Sequence, residues 1–167
     1  MGLFDFLKGK EAAKAEPAAV VLGAPVKGNF VPMAQVPDEV FSQGIMGVCC
    51  GIDPSEGTVY APADGTISQL TDTLHAVGMD ADGLEILIHV GVDTVAMNGD
   101  GFSNLVQKGQ QVKKGDLLLT MDLDKIRAAG HPETVIMAVT NSDDFASVEA
   151  LADGAVSAGS DVLRIRK

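Results

Sequence analysis

The 167-residue chain carries 12 Lys and Arg against 23 Asp and Glu, a formal net charge of −11. That is the wrong sign for a protein that holds a phosphate backbone, so nucleic acid is excluded as an expected partner. No apolar run approaches the roughly 18 residues that cross a bilayer, and no basic stretch followed by an apolar one marks a secretory leader.

Residues 1–8 place Leu3, Phe4 and Leu7 on roughly one face of a short helix, a segment suited to weak contact with a membrane surface or to a frayed terminus. Residues 9–18 are small and charged and read as a linker. The chain thus divides into a flexible or short amphipathic N-terminal segment over 1–19 and one domain over 20–167. With 46% hydrophobic residues but only 4% aromatic ones and no Trp, that domain must build its core from aliphatic side chains and Met.

From Val20 onward, short apolar runs alternate with Gly, Pro, Asp and Asn, and strands are expected at 20–23, 28–33, 47–52, 58–60, 65–71, 73–79, 84–92, 117–121, 134–139 and 161–166. The pair Cys49 and Cys50, the only cysteines, falls on one of these strands. Adjacent cysteines are badly placed to bridge each other, which favours a reducing, cytoplasmic location. Helical pieces are expected at 122–129 and near 142–149, the latter capped by Ser142 or Asp143. Ala24-Pro25-Val26-Lys27-Gly28 is echoed by Ala61-Pro62-Ala63-Asp64-Gly65, and Val112-Lys113-Lys114-Gly115-Asp116 by Val156-Ser157-Ala158-Gly159-Ser160. In each, a rigid turn feeds a strand and Gly occupies a position expected to need unusual backbone angles. The fold class is therefore all-β: an antiparallel sandwich or barrel-like domain with a doubled motif and a few short helices.

Of three histidines, His75 and His89 fall on one expected hairpin, whereas His131, followed by Pro132, reads as a loop residue. A three-residue loop Ala81-Asp82-Gly83 opposes Asp80 to Leu84 and, counting back, His75 to His89 on one face. A two-residue loop instead pairs His75 with Ile88. A neutral imidazole is a competent nucleophile near pH 7 and accepts a phosphoryl group. Such transfer needs in-line positioning and donors to the equatorial oxygens, a role open to the second imidazole. Thr73, beside His75 on its face, is a candidate hydrogen-bond partner for that ring.

The segments APVKG (24–28), VPDEVFSQGIMG (36–47), APADGTI (61–67), TLHAVG (73–78), EILIHVGVDTV (85–95), GDGF (99–102), GQQVKKGD (109–116) and TNSDDFASV (140–148) resemble, in order and spacing, the glucose-type IIA domains of the bacterial phosphoenolpyruvate-dependent sugar phosphotransferase system. The resemblance implies a phosphocarrier that is charged by the small protein HPr and donates to the IIB domain of a sugar permease, with no cofactor or metal. It implies His89 as phosphoacceptor, His75 as supporting imidazole and Thr73 as the hydroxyl that orients His75. Asp38 and Asp93 match acidic positions that meet an HPr arginine, and Val40, Phe41, Ile45 and Met46 match the apolar docking surface. The chain departs from the family pattern at Gly47-Val48-Cys49-Cys50-Gly51, where Gly-Asp-Gly is common, and its turn between the histidine strands is one residue shorter than usual.

Two rival functions are compatible with parts of the sequence. A biotinyl or lipoyl carrier shares the APxxGxI and VKKGD patterns, but its lysine would have to be Lys125 in Asp124-Lys125, on an expected helix. A zinc hydrolase would use His75, His89 and a carboxylate such as Asp93, without an HExxH or His-x-His signature.

Overall fold

The computed structural model describes residues 19–167, and the amphipathic segment and linker expected over 1–18 lie outside them. The strands are β1 (Ala19–Gly23), β2 (Gly28–Val31), β3 (Val48–Pro54), β4 (Thr58–Tyr60), β5 (Gly65–Leu70), β6 (Ala76–Ala81), β7 (Leu84–Val90), β8 (Phe102–Asn104), β9 (Gln111–Val112), β10 (Leu117–Met121), β11 (Val135–Val139), β12 (Ser147–Ala150), β13 (Ala155–Val156) and β14 (Asp161–Arg166). An eight-stranded sheet has the order β13-β2-β3-β11-β7-β6-β5-β9, and two three-stranded sheets have the orders β1-β14-β12 and β4-β10-β8. No helix of the described residues is long and apolar enough to cross a membrane.

All three sheets contribute to the main core: Leu22, Leu163 and Ile165 from one, Val59, Phe102 and Leu119 from another, and Ile52, Val77, Leu84 and Ile88 from the large one. Burying each Leu or Ile side chain contributes about 1.5–3 kcal/mol. β11, Val-Ile-Met-Ala-Val, is buried throughout because both of its faces are covered. Val135, Met137 and Val139 enter the main core, whereas Ile136 and Ala138 join a second, smaller cluster with Val36, Phe41, Cys49 and Val92. This second cluster forms where the short helix α1 (Glu39–Ser42) and the 3-10 turn Met33–Gln35 lie over the outer face of the large sheet.

The doubled motif is borne out by equivalent bonds in its two halves. Gly159 donates its N–H to the Ala24 carbonyl, and Gly115 donates to that of Ala61, each at 2.9 Å. In return Ala24 N–H meets the Ser160 carbonyl at 2.7 Å and Ala61 N–H the Asp116 carbonyl at 2.8 Å. Gly115 and Gly159 adopt the left-handed backbone expected of them (φ 92 and 88). Gly28 and Gly65 do not. They are needed because a Cβ there would strike the carbonyls of Asp53 and Asp80 on the adjoining strands.

Other expectations are corrected. Residues 73–75 are a turn rather than the start of a strand, and 142–149 holds only the 3-10 turn Ser142–Asp144 followed by β12. The helix α1 and strands β8, β9, β12 and β13 were not anticipated. The expected helix at 122–129 is present as α2 (Leu123–Ala128), capped by Asp122, whose carboxylate accepts from Lys125 N–H at 3.2 Å.

Candidate functional site

On β7 the side chains alternate: Leu84, Ile86, Ile88 and Val90 are buried in the core, while Glu85 is exposed and Leu87 and His89 are half-buried on the outer face. Pairing carries that face across the sheet in rows, Gly51–Ile136–His89–Ala76 and Cys49–Ala138–Leu87–Gly78. His89 therefore emerges at the margin of the second cluster. Its ring contacts the Phe41 ring, with centroids 5.3 Å apart and planes tilted by 57°.

The β6–β7 register differs from the expected one. Ala81 pairs with Leu84, Asp80 with Glu85 and Ala76 with His89, so the loop is the two residues Asp82-Gly83. Both have positive φ, 52 and 84, as a tight hairpin turn of this length requires. His75 opposes neither His89 nor Ile88, and its carbonyl instead accepts from Val90 N–H at 2.8 Å. The two imidazoles nevertheless meet, centroids 4.9 Å apart and nearly perpendicular at 77°.

Hydrogen bonds define the nitrogens. His89 Nδ1 lies 2.7 Å from the Gly91 carbonyl, which can only accept, so Nδ1 carries the proton and Nε2 keeps its lone pair. His75 Nδ1 lies 2.6 Å from Thr73 Oγ1, which leaves Nε2 as its remaining nitrogen. The Gly91 carbonyl is aimed by a tight loop: Gly91 N–H bonds Thr134 O at 3.0 Å, Val92 N–H bonds Pro132 O at 2.9 Å, and the buried Thr94 hydroxyl bonds Val90 O at 2.6 Å. Gly91 has φ 81, and a Cβ there would run into the Thr94 methyl. Gly91→Ala is expected to cost about 2–4 kcal/mol, from left-handed strain plus overpacking, read as a lower urea midpoint at unchanged slope.

Burial lowers the pKa of both imidazoles from the ordinary 6.5. At His75 the neighbouring His89 adds to the effect; at His89 the Gly91 carbonyl, Asp38 and Asp93 oppose it. Both rings are thereby held neutral and nucleophilic near pH 7. The unfolded chain binds more protons than the folded one between the depressed values and 6.5, so this stability is present above pH 6.5 and is lost as pH falls through the folded pKa values. Thermal melts are expected to show the midpoint dropping through that window, with a shallower drop in a His75→Gln/His89→Gln double variant.

The other expected site residues divide. Asp38 caps α1, its Oδ1 accepting from Val40 N–H at 2.9 Å and Phe41 N–H at 3.3 Å, and its charge is felt at His89. Asp93 is exposed on a left-handed backbone (φ 61), and its charge also reaches His89. Val40, Ile45 and Met46 are exposed (43%, 67% and 37%), as a docking surface requires. Phe41 is not: at 6% exposed it backs His89 and the second cluster. Val95, which ends the EILIHVGVDTV segment, was not among the expected surface residues but is 51% exposed on the turn Thr94–Met97 after Asp93. Cys49 and Cys50 are free and buried, with the Cys49 thiol pushed up to about 11 by burial and by the charge of Asp38.

Neither rival function finds its site. Among the described residues no three His, Cys, Asp or Glu side chains gather into a set that could hold a metal ion, so Asp93 does not complete one with the two imidazoles. Lys125 lies on α2 with its Nζ bonded to Asp100 at 2.8 Å, not at a hairpin tip.

Residues 20–145 match the family model described as phosphoenolpyruvate-dependent sugar phosphotransferase system, EIIA 1. A beta-glucoside-specific EIIBCA component of this system from Dickeya chrysanthemi is 41% identical over 145 residues, covering 86% of this chain and 23% of the relative. A glucosamine-specific EIICBA component from Bacillus subtilis (strain 168) is 50% identical over 128 residues, covering 75% of this chain and 20% of the relative. The chain thus spans less than a quarter of the length of these curated relatives. Among solved structures, glucose permease IIA from Mycoplasma capricolum superposes with a TM-score of 0.78 at 30% identity, over 88% of this chain and 96% of that one.

Proposed function

Because the chain belongs to the phosphoenolpyruvate-dependent sugar phosphotransferase system EIIA 1 family, we propose that it is a phosphocarrier that accepts a phosphoryl group on His89 Nε2 and passes it to the sugar-transporting part of the system. The observation that carries the assignment of His89 is the Nδ1–H bond to the Gly91 carbonyl at 2.7 Å, which leaves Nε2 as the free lone pair.

The step balances without a cofactor. Nε2 attacks the phosphorus of a donor phosphohistidine, which we take to be that of HPr. The new P–N bond forms as the donor's P–N bond breaks, and the donor imidazole keeps the electron pair. Because Nδ1 retains its proton throughout, His89 departs as a neutral imidazole in the second transfer, a better leaving group than an imidazolate. Thr73 donating to His75 Nδ1 sets the tautomer that carries a proton on Nε2, and that N–H serves the equatorial phosphoryl oxygens. Asp38 and Asp93 offer negative charge to a basic partner, and the exposed Val40, Ile45, Met46 and Val95 offer it an apolar surface.

A IIB domain is the proposed acceptor, consistent with relatives named EIIBCA and EIICBA. Those relatives are named for beta-glucoside and glucosamine, which supports leaving the choice of sugar to the parts of them that this chain does not span. We place the domain in the cytoplasm and assign any weak membrane-surface contact to the segment holding Leu3, Phe4 and Leu7. The test is incubation with phosphoenolpyruvate, enzyme I and HPr. One phosphoryl group, stable in mild base, lost in acid and transferable to a IIB domain, is expected; no acid-labile phosphate would overturn the proposal.

A further inference from the structure

Since Ala76 is the residue paired with His89, regular alternation along β6 would send residue 75 to the side of Val77, into the main core. The ring of His75 instead sits against His89 on the outer face. The chain changes course in the turn 71–76, where Leu74 has φ 63, a conformation unusual for a bulky residue. Leu74 packs against the main core and lies beside Gly99, which anchors the kink.

Thr71 closes this turn. Its Oγ1 accepts from Ala76 N–H at 3.2 Å and donates to Ala76 O at 3.3 Å, and its own N–H bonds Ala76 O at 3.3 Å. Leu74 N–H bonds Thr71 O at 3.0 Å. The same hydroxyl oxygen lies 3.5 Å from His75 Nδ1, whereas Thr73 Oγ1 takes the short bond at 2.6 Å. The two threonines therefore divide the work: Thr73 holds the ring, and Thr71 holds the backbone from which the ring projects.

We propose that Thr71 is a positioning residue for His75: its hydroxyl, clamped on both polar groups of Ala76, holds the left-handed turn at Leu74 that brings the His75 ring onto the face of His89. The consequence for phosphoryl transfer rests on His75 being the supporting imidazole; the geometric claim does not.

Thr71→Val keeps the shape and removes the hydroxyl, and Thr71→Ser keeps the hydroxyl. NMR of the full chain reads the cross-relaxation between the two imidazole rings and the nitrogen shifts that report the His75 tautomer. Thr71→Val is expected to lose the ring–ring cross-peak and to lower onward transfer by at least about tenfold, as misplacement of a supporting group does, while Thr71→Ser retains both.

Retention of the cross-peak in Thr71→Val would overturn the proposal, as would its loss in folded Thr71→Ser. Absence of phosphorylation in the unsubstituted protein would instead count against the function, leaving the cross-peaks to decide the role of Thr71.

Discussion

His89→Ala is expected to abolish phosphoryl acceptance: after incubation with phosphoenolpyruvate, enzyme I and HPr, no acid-labile phosphate forms on the folded variant. The effect is the largest open to a single substitution because the new P–N bond has no alternative atom. His131 is on a different loop, its backbone N–H bonded to Ile126 O at 3.2 Å. His75 offers no lone pair in the proposed tautomer, because its Nδ1 accepts from Thr73 at 2.6 Å and its Nε2 carries the proton. Loss of fold does not supply a second explanation, since His89 lies half-buried on the outer face while the main core of the sheet is on the other side. The variant also loses its bond to the Gly91 carbonyl, a contribution of about 1 kcal/mol. Circular dichroism and a cooperative melt check that the fold survives. Label that persists on folded His89→Ala would place the acceptor elsewhere.

His75→Ala is expected to divide the two half-reactions. Phosphorylation by HPr survives, whereas transfer to a IIB domain falls by about 10²–10³, the usual effect of removing one preorganised donor from a developing anion. As the P–N bond to His89 loosens, charge spreads over the equatorial oxygens. A ring 4.9 Å away and edge-on to His89 is placed to meet that charge. His75 is only 9% exposed, so water substitutes for it poorly. Single-turnover measurement of each half-reaction separates the steps. An equal loss in both would show that His75 serves acceptance and departure alike.

Much of the fold was legible in local sequence. The β7 pattern Leu84-Glu85-Ile86-Leu87-Ile88-His89-Val90 shows which side chains enter the core and that His89 does not. Several of the shortest elements escaped. The helix α1 has four residues, too few for helical periodicity, although Asp38 followed by Glu39 is an ordinary capping pattern. Strands β9 and β13 have two residues each and exist because a neighbouring strand pairs with them, at β5 and β2. The hairpin register was within reach, since Asp82-Gly83 is itself the dipeptide favoured in a two-residue turn. Assigning Ala81 to the loop moved the pairing by one residue.

The sequence alone determined which groups are available: two imidazoles, a threonine two residues before one of them, a glycine two residues after the other, and an aliphatic all-β domain to carry them. Those properties follow from residue type and short spacing. Only the tertiary structure decided how the imidazoles meet. Strand pairing sets Ala76 opposite His89, and the His75 ring arrives from a left-handed turn at Leu74, closed by Thr71 and anchored beside Gly99. It also turned Phe41 inward against His89 and left Val40, Ile45 and Met46 outside. Both outcomes depend on contacts between segments far apart in the chain, which periodicity and motif spacing do not encode.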